Sequence, residues 1–482
     1  MTENKKATVW QALIPLGFLV VLLVFNVLFF ESDASYGPNQ VALILAAFVG
    51  VGIAMLNGFS WDKMQKGMVD SVTHAVPSII ILLLIGSLAG TWLVSGIVPA
   101  MIYYGLEILS PKVFLVAACM VCMIVSLATG SSWSTAATVG IALLGIGKAL
   151  GLSEGMIAGA VISGAYFGDK MSPLSDTTNL APSMAGTDLF THIRYMLWTT
   201  VPSISLALIL FLILGFTGNQ TADSSKIELV QASIAAHFNL NPLLFLVPIA
   251  VIIMIVKKMP ALPALLIGVL LGGLAAVVFQ PEILKLNHSL DMAEMSNWSA
   301  QYAGLLQALF GESQILTGDP MVESLLHSGG MMGMMSVILL VLAAMVFGGV
   351  MEKAGFLHVL VQLIIKRVER TGSLVAATAG TCVFFNMTAS EQYVSIVVPG
   401  RMFADSYRQK KLPPQLLSRT LEDAGTVTSV LIPWNSCGAY HKGVLGVDPL
   451  LYLPYCFLNL ISPFMTILVA SIGFKIFPSA KK

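Results

Sequence analysis

Long apolar runs alternate with short polar segments along most of the chain. The runs that approach or exceed the length a helix needs to cross a hydrocarbon core of about 30 Å are Ile14 to Phe30, Pro77 to Val94, Val201 to Phe216, Pro260 to Phe279, Met334 to Met351 and Tyr452 to Ile472. This pattern predicts an all-α protein that crosses a membrane many times. The N-terminal run lacks a small-residue cleavage site, so we interpret it as a retained first helix.

The two halves of the chain correspond when positions are compared at a shift of 260 residues. The matching pairs are Gly140 and Gly400, Leu152 and Leu412, Pro173 and Pro433, Gly186 and Gly446, Asp188 and Asp448, and Tyr195 and Tyr455. Internal duplication of this kind is common among membrane transporters. We therefore predict two repeats, residues 1–216 and 241–482, joined by an external linker at 217–240.

The distribution of Lys and Arg predicts how the repeats are oriented, because these residues accumulate in cytoplasmic loops. With both termini in the cytoplasm, most of the 25 basic residues lie on that side, and the acidic loop 280–330 lies outside. The first repeat then begins inside and the second begins outside. The two repeats are accordingly predicted to be inverted.

One segment of each repeat is expected to enter and leave the membrane from the same face. The stretch of about 371–408 has basic residues at both ends and a polar break, Asn386 to Tyr393, in its middle. Its counterpart in the first repeat spans about 111–148, with Thr129 to Ser134 at the tip. Non-helical backbone at this depth is tolerated where protein or water covers it. The sequence thus predicts two re-entrant hairpins.

Each predicted hairpin is followed by an apolar helix that polar residues interrupt. In the first repeat this helix spans about 152–185 and contains the polar run Gly168 to Asn179. In the second repeat it spans about 412–446 and contains Thr428 to Gly438. Such discontinuous helices surround the binding sites of many transporters. The complete prediction is about ten transmembrane helices, two re-entrant hairpins and two discontinuous helices.

Composition supports the membrane assignment, because 56% of the residues are hydrophobic and only 10% are charged, against roughly a quarter charged in soluble domains. Basic and acidic residues both number 25, and no basic patch interleaved with aromatics points to nucleic acid. No Walker A loop, Gly-x-Ser-x-Gly elbow or zinc motif occurs. We therefore expect neither an enzyme nor a cofactor, and an ion gradient would supply the energy for transport.

Five acids lie at apparent membrane depth, where an ionised side chain costs about 2.5 to 3.5 kcal/mol on insertion scales. They are Asp169, Asp176, Glu391, Glu422 and Asp423. The functional interpretation is that some of them bind a cation or carry a proton, so that cation and proton compete for one carboxylate. The structural interpretation is an ion pair between Asp169 and Lys170 and another between Glu422 and Arg419.

The predicted cation- or proton-binding residues are Asp169, Asp176, Glu391 and Asp423. Short oxygen-bearing side chains and unwound carbonyls near them suit coordination of Na+. The predicted ion- or substrate-coordinating side chains are Thr129, Ser131, Ser132, Ser172, Ser175, Thr177, Thr178, Asn179, Asn386, Thr388, Ser390, Asn435 and Ser436. Half-helix N-termini in the same segments would instead favour an anion.

Three segments resemble signature sequences of the NhaC-type sodium/proton antiporters. They are Gly168-Asp-Lys-Met-Ser-Pro-Leu-Ser-Asp-Thr-Thr-Asn179, Thr129-Gly-Ser-Ser-Trp-Ser134 and Thr388-Ala-Ser-Glu-Gln-Tyr393. The likeness extends over nearly the whole chain and implies membership of the ion-transporter superfamily. It further implies inverted repeats with paired hairpins, assembly as a homodimer in the inner membrane, and an elevator-type transport domain that moves across a scaffold.

Two functions remain open from the sequence. The first is exchange of Na+ or Li+ for H+, which the excess of acids over the one membrane-depth cation, Lys170, favours. The second is Na+- or proton-coupled transport of a small carboxylate such as malate or lactate, or of an amino acid, with Lys170 or Lys442 helping to hold the anion. In both cases the partners are small solutes and membrane lipid. A channel is disfavoured, because inverted halves with closed hairpins suit alternating access better than a continuous pore.

Overall fold

The computed structural model describes residues 7–108, 110–217, 224–287, 296–365 and 370–476 of the 482-residue chain. These residues are almost entirely helical. The exception is a two-stranded antiparallel pair, Ser313–Gln314 with His327–Ser328. The expected all-α architecture is therefore present in the part of the chain that the structure describes.

Helices of the N-terminal half are mostly long and apolar. They are Val9–Phe30, Glu31–Tyr36 (3-10), Pro38–Leu56, Trp61–Val94, Ile97–Ile108, Pro111–Thr129, Ser132–Thr135, Ala136–Gly140 (π), Ile141–Ala149, Glu154–Met171, Asp176–Ala185 and Leu189–Thr217. Prolines begin two of them, Pro38–Leu56 and Pro111–Thr129, because a proline in the first turn costs no backbone hydrogen bond. Gly130 in the left-handed region, at φ 71°, ends the helix Pro111–Thr129.

The C-terminal half contains more short helices and two further breaks. Its helices are Ser224–His237, Pro242–Phe245 (3-10), Leu246–Val256, Ala261–Phe279, Pro281–Leu286, Asn297–Phe310, Pro320–Leu325, Gly330–Gly333, Met335–Lys353, Phe356–Ile365, Thr371–Thr388, Gln392–Gln409, Pro414–Leu421, Glu422–Thr426 (π), Ser429–Leu431 (3-10), Ser436–Leu445, Pro449–Tyr452, Leu453–Tyr455 (3-10) and Phe457–Ser471. Irregular turns thus concentrate between residues 422 and 435.

Seven described helices are long and apolar enough to cross a membrane, and up to nine spans result if each of two bent pairs counts as one. The seven are Val9–Phe30, Pro38–Leu56, Trp61–Val94, Pro111–Thr129, Leu189–Thr217, Ala261–Phe279 and Met335–Lys353. Large apolar side chains such as Phe29 and Phe464, at 76% and 72% exposed, suit a lipid surface. The chain is a multi-pass membrane protein, whereas its number of crossings stays a prediction.

Four segments carry the residues that the sequence predicts for the site. We name them the first hairpin (111–149), the first broken helix (154–185), the second hairpin (371–409) and the second broken helix (414–445). Helix starts that differ by 260 positions are Pro111 and Thr371, Ser132 and Gln392, Glu154 and Pro414, and Asp176 and Ser436. Gly186 and Gly446 both end a broken helix in the left-handed region, at φ 79° and 67°. These helix starts show the same shift of 260 positions as the sequence, and both the two repeats and their inverted orientation stay predictions.

Small residues bring the first hairpin against the first broken helix. A side chain at Gly164 would overlap the backbone of Cys119, and one at Gly168 would overlap Ser126. Ser126 Oγ donates a hydrogen bond of 2.5 Å to the carbonyl of Ala165. Close backbone approach at small residues is typical of helices that associate within membranes. This packing fixes the tip of the first hairpin beside the break of the first broken helix.

Candidate functional site

A cavity of about 750 Å³, which we call the central cavity, lies where three irregular segments meet. These segments are the tip of the first hairpin, the break of the first broken helix and the tip of the second hairpin. The opposite wall comes from the helix Trp61–Val94, through His74 and Ser78, and from the turn around Lys258. Most of the acids predicted from the sequence face this space.

Apart from Ser132, which bonds to Asp169, and Asp423, which pairs with Lys170, the predicted site residues occupy three kinds of position. Those lining the central cavity are Thr129, Ser131, Asp169, Ser175, Asp176, Thr177 and Glu391. Those at the break of the second broken helix and the adjoining hairpin tip are Asn386, Ser390, Asn435 and Ser436. Those whose side chains bond to neighbouring backbone carbonyls are Ser172, Thr178, Asn179 and Thr388. Their binding roles stay predictions.

Asp169 is the most firmly held acid of the central cavity. Its Oδ2 accepts a 2.6 Å hydrogen bond from Ser132 Oγ and a 3.2 Å bond from the Ser132 N–H. Its Oδ1 accepts a 2.6 Å bond from Ser175 Oγ. The side chain is 8% exposed. The carboxyl group therefore joins the first hairpin to the first broken helix and still reaches the cavity.

The break of the first broken helix follows from its local sequence. Pro173 has no N–H to continue the helix that ends at Met171, and Ser175 caps the next helix by accepting from the Thr178 N–H at 3.5 Å. Ser172 Oγ donates to the carbonyl of Leu127 at 2.9 Å, which ties the break to the first hairpin. The break is thus a built feature with its backbone groups largely satisfied.

Asp176 and Glu391 bring two further carboxyl groups to the cavity. Asp176 is exposed on the first turn of the helix Asp176–Ala185, where an acid interacts favourably with the helix dipole. Glu391 precedes the helix Gln392–Gln409, and its Oε2 accepts from the N–H groups of Tyr393 and Val394 at 2.6 and 3.1 Å. The two acids come from different repeats and face the same space.

Each of the four half-helices at these tips and breaks has its N-terminus capped by a side chain of its own segment. The capping residues are Ser131, Ser175, Glu391 and Asn435. Ser131 and Glu391 lie 260 positions apart, and so do Ser175 and Asn435. A free helix N-terminus is a ready site for an anion. Here each cap already accepts from one or two of these N–H groups, and one cap is itself a carboxylate, so these positions favour an anionic substrate less.

The break of the second broken helix is lined by amides. Asn386 Nδ2 donates to the carbonyl of Gly425 at 2.7 Å and to Thr428 Oγ1 at 3.0 Å. Asn435 Nδ2 donates to the carbonyl of Asn386 at 3.0 Å, while its Oδ1 accepts from the Cys437 N–H. These side chains are buried and partnered. The amides hold the second hairpin to the second broken helix.

Asp423, predicted as a cation- or proton-binding residue, lies away from the cavity lining in a buried ion pair. Lys170 Nζ donates to its Oδ1, and Ser462 Oγ bonds to the same oxygen at 3.0 Å. Arg419 Nε lies 3.9 Å from its Oδ2. Lys170 therefore pairs with Asp423 instead of Asp169, and Arg419 faces Asp423 instead of Glu422. The first ion pair considered from the sequence is thus replaced by a contact between the two broken helices. The second is replaced by a contact within the second broken helix.

Several cavity residues are not among the predicted binding residues, although Trp133, Gln392 and Tyr393 lie within the signature segments. Trp133 stacks on Tyr440, with ring centroids 3.9 Å apart and planes at 19°, and the Tyr440 hydroxyl donates to the Trp133 carbonyl at 2.9 Å. Gln392 and Tyr393 line the same space. Tyr440 follows the predicted residue Ser436 by one helical turn, which is the pattern that could have identified it.

Comparison with known proteins gives matches over nearly the whole chain. Residues 164–474 match the model of the Na+/H+ antiporter family. The chain is 38% identical to a Na(+)/H(+) antiporter NhaC of Alkalihalophilus pseudofirmus, over 98% of this chain and 97% of that protein. It is 34% identical to a malate-2H(+)/Na(+)-lactate antiporter of Bacillus subtilis, over 98% and 96% of the two chains. It is also 34% identical to an arginine/ornithine antiporter ArcD of Halobacterium salinarum, over 98% and 94%. The resemblance drawn from the sequence motifs is confirmed.

Proposed function

The chain belongs to the Na+/H+ antiporter family, and from this premise we propose that it exchanges Na+ or Li+ for H+ across the membrane. Its relatives are antiporters and not enzymes. The observation that carries the proposal is the convergence of Asp169, Asp176 and Glu391 on one cavity. A carboxylate that binds a cation in one state and a proton in another is the simplest device for antiport.

The charge of the side chains that line the central cavity supports a cation as the transported species. Three acids line it against two basic side chains, His74 and Lys258, which come from the opposite wall. Each half-helix N-terminus already has a side-chain cap on one or two of its N–H groups, which lowers the number of donors open to an anion. Asp169, with three hydrogen-bond donors around it, is the residue we assign as the primary cation ligand.

We further propose that transport follows an alternating-access, elevator-type cycle. The hairpins and broken helices pack on one another, and the Lys170–Asp423 contact joins the two repeats within this unit. The helices Trp61–Val94 and Met335–Lys353, which approach closely at Gly67 and Gly349, would form the scaffold. In this proposal the protein is a homodimer of the inner membrane with both termini in the cytoplasm, and it needs no cofactor besides its coupling ions.

The size of the central cavity favours one alternative. At about 750 Å³ it falls in the range of pockets that hold organic ligands, and a bare ion needs much less room. Relatives named for malate and lactate or for arginine and ornithine cover the chain equally well. The alternative is therefore Na+- or proton-coupled exchange of a small carboxylate or an amino acid, with the acids holding the coupling ion.

Purified protein in liposomes with a trapped pH dye distinguishes the two functions. A pH gradient is imposed, and Na+, Li+, K+, malate, lactate or single amino acids are added separately. We expect Na+ or Li+ alone to dissipate the gradient, and Asp176→Asn or Glu391→Gln to weaken that response, whereas Glu352→Gln, an exposed acid outside the cavity, should not. If cations alone do nothing and an organic solute starts Na+-dependent flux, the alternative function is correct.

A further inference from the structure

A second cavity, of about 410 Å³, lies further along the helix Trp61–Val94 than the central cavity. We call it the outer pocket, because its rim includes Ser324 and His327 of the loop that the sequence predicts outside. The scaffold helices and the hairpin and broken-helix segments all contribute to its lining, which includes Ile85, Ala89, Val337, Ile141, Leu144, Lys442 and Gly443. The outer pocket therefore lies between the same two parts of the protein as the central cavity.

Three helical stretches line both cavities. The pairs of lining residues, with the central cavity first, are Ile81 and Ile85, Tyr440 and Gly443, and Ser134 and Ile141. The members of a pair are three to seven positions apart, which corresponds to about 5–10 Å along a helix axis at 1.5 Å per residue. The barrier between the two cavities is accordingly only one to two helical turns thick.

Apolar groups form this barrier. A side chain at Gly443 would lie 3.1 Å from Met334 Sδ, 3.4 Å from Val337 Cγ2 and 3.5 Å from Leu82 Cδ2. The backbone of Gly443 thus packs directly on these three side chains, and we call the four residues the seal. Leu82 and Val337 are buried. Hydrophobic constrictions of this kind exclude ions because water leaves them.

The seal lies on the boundary between the two parts that the proposed cycle moves relative to each other. Gly443 belongs to the second broken helix, whereas Leu82 and Val337 belong to the scaffold helices. A polar contact crosses the same boundary, since Lys442 Nζ lies 4.0 Å from the centroid of the Tyr36 ring. Movement of the second broken helix along the scaffold would separate both contacts together.

The outer rim of the pocket is fixed to the scaffold. A side chain at Gly86 would overlap the carbonyl group of Gly330, and one at Gly90 would overlap that of Ala308. Ser87 Oγ donates a 2.9 Å hydrogen bond to the carbonyl of Leu309. Residues 297–333 are therefore an extension of the scaffold. Opening of the outer pocket toward the seal thus depends on the hairpins and broken helices.

The charges of the outer pocket are compatible with passage of a cation. Each of the three basic side chains in its described lining has an acid within 3.1 Å, and the pairs are Lys148 with Glu154, His327 with Glu312, and Lys442 with Asp448. The basic groups are thus compensated locally. A cation in this pocket meets no excess of positive charge from them.

We propose that the central cavity and the outer pocket are the two mouths of one transport path and that the seal separates them. This inference rests on the proposed Na+/H+ exchange and adds to it the outer entrance and the contact that closes it. In the present conformation Asp169 lines the central cavity. A displacement of the broken helices by about 5–10 Å, the thickness of the barrier, opens the seal and turns the site to the outer pocket.

The first test compares two cysteine variants of one helix. Ser78→Cys lies on the central cavity and Ala89→Cys on the outer pocket, and both positions are half-buried. A membrane-impermeant thiol reagent is applied to right-side-out and to inside-out membrane vesicles. We expect Ala89→Cys to react from the outside and Ser78→Cys from the inside. The wild type is the control, because its five cysteines are all buried. Reaction of both variants from the same side would overturn the path.

The second test locks the seal with a disulfide. The built Cβ of Gly443 lies 3.4 Å from Val337 Cγ2, which is close enough for the double variant Val337→Cys with Gly443→Cys to form one. Oxidation should reduce Na+-driven proton movement in liposomes to the level of empty vesicles, and a reductant should restore it. The matched control is Gly50→Cys with Val350→Cys, a glycine–valine contact between two helices outside the hairpins and broken helices. Its oxidised form should still exchange.

The outcomes separate the path from the proposed function. If the seal variant exchanges equally well in its reduced form and in a form whose disulfide is verified by mass spectrometry, the seal does not move. The proposed path is then wrong, while Na+/H+ exchange stands. If neither the wild type nor the reduced variant responds to Na+ or Li+, the proposed exchange is wrong, and the thiol labelling decides by itself whether the two cavities open to opposite sides.

Discussion

The breaks of the two broken helices occupy corresponding positions but carry different chemistry. Residues 172–175 interrupt the first broken helix, and residues 432–435, which lie 260 positions later, interrupt the second. Each break ends in a side chain that caps the following helix, Ser175 in the first and Asn435 in the second. The first break adjoins Asp169 and Asp176 and opens to the central cavity. The second is closed by buried amides. We propose that the same geometry binds the cation in the first broken helix and stabilises the packing of the second.

The difference in side chains between the two breaks is the basis for our proposal of a single ion site at the first break. Asp176 corresponds to Ser436 and Asp169 to Ser429 at the shift of 260, so no acid stands at either position of the second break. Amides satisfy a fixed hydrogen-bond network and do not titrate near neutral pH. Carboxyl groups can exchange a proton for a cation. We expect substitutions at the first break to change transport and those at the second to change stability.

The largest loss of transport is expected at Asp169, the acid that joins the first break to the first hairpin. Asp169→Asn keeps the shape of the side chain and removes the charge that would bind Na+, so Na+-driven proton movement in liposomes should fall to the level of empty vesicles. Asn435→Ala, at the second break, should retain measurable exchange. Exchange by Asp169→Asn at the wild-type rate would remove the distinction between the two breaks.

A large loss of stability is expected where the two broken helices meet. Lys170→Met leaves Asp423 buried without its cation, and breaking a buried pair in this way costs about 3–5 kcal/mol. The change should lower the thermal unfolding temperature in detergent. The double variant Lys170→Met with Asp423→Asn should recover much of that loss, because no uncompensated charge remains. Purely additive losses would show that the pair is not energetically coupled.

We expect an intermediate loss of stability when the amide network of the second break is disrupted. Asn435→Ala removes the donor to Asn386 and the cap of the helix Ser436–Leu445, which should cost about 1–3 kcal/mol because buried partners are left unsatisfied. The Na+ concentration for half-maximal exchange should stay near the wild-type value. A loss of Na+ response in a variant that unfolds at the wild-type temperature would assign the second break a binding role.

The smallest loss of stability is expected when the aromatic contact between the first hairpin and the second broken helix is changed. Tyr440→Phe removes the hydrogen bond to the Trp133 carbonyl and keeps the stacked rings, so it should cost about 0.5–1.5 kcal/mol. Tyr440→Ala removes both and should destabilise the protein more. Thermal unfolding followed by tryptophan fluorescence compares the two variants, and equal losses would show that the stacking contributes little.

The helical framework follows closely from the sequence. The predicted hairpin at 111–148 corresponds to helices between Pro111 and Ala149, and the predicted broken helix at 412–446 corresponds to helices between Pro414 and Leu445. Local signals explain this success, since Pro173, Pro433 and the capping residues act within a few positions of themselves. The family resemblance is confirmed by the relatives, whereas re-entry and inversion stay predictions.

Part of the candidate site depended on contacts that the sequence cannot show. Lys170 is next to Asp169 in sequence, yet it pairs with Asp423 on another helix. Glu422 was interpreted from its neighbour Arg419, but its contact is Thr177 in the other repeat. Side chains three or four positions apart on a helix share a face, and that rule says nothing about which distant helix packs there. The pairing therefore required the tertiary structure.

Calorimetric titration of Na+ into purified wild type, Asp169→Asn and Asn435→Ala tests most directly whether the cation site lies at the first break. Binding is measured at a pH above neutrality, where proton competition is weakest. We predict saturable binding by the wild type and Asn435→Ala and none by Asp169→Asn. Binding that survives in Asp169→Asn and disappears in a folded Asn435→Ala variant would place the site at the second break and contradict this account.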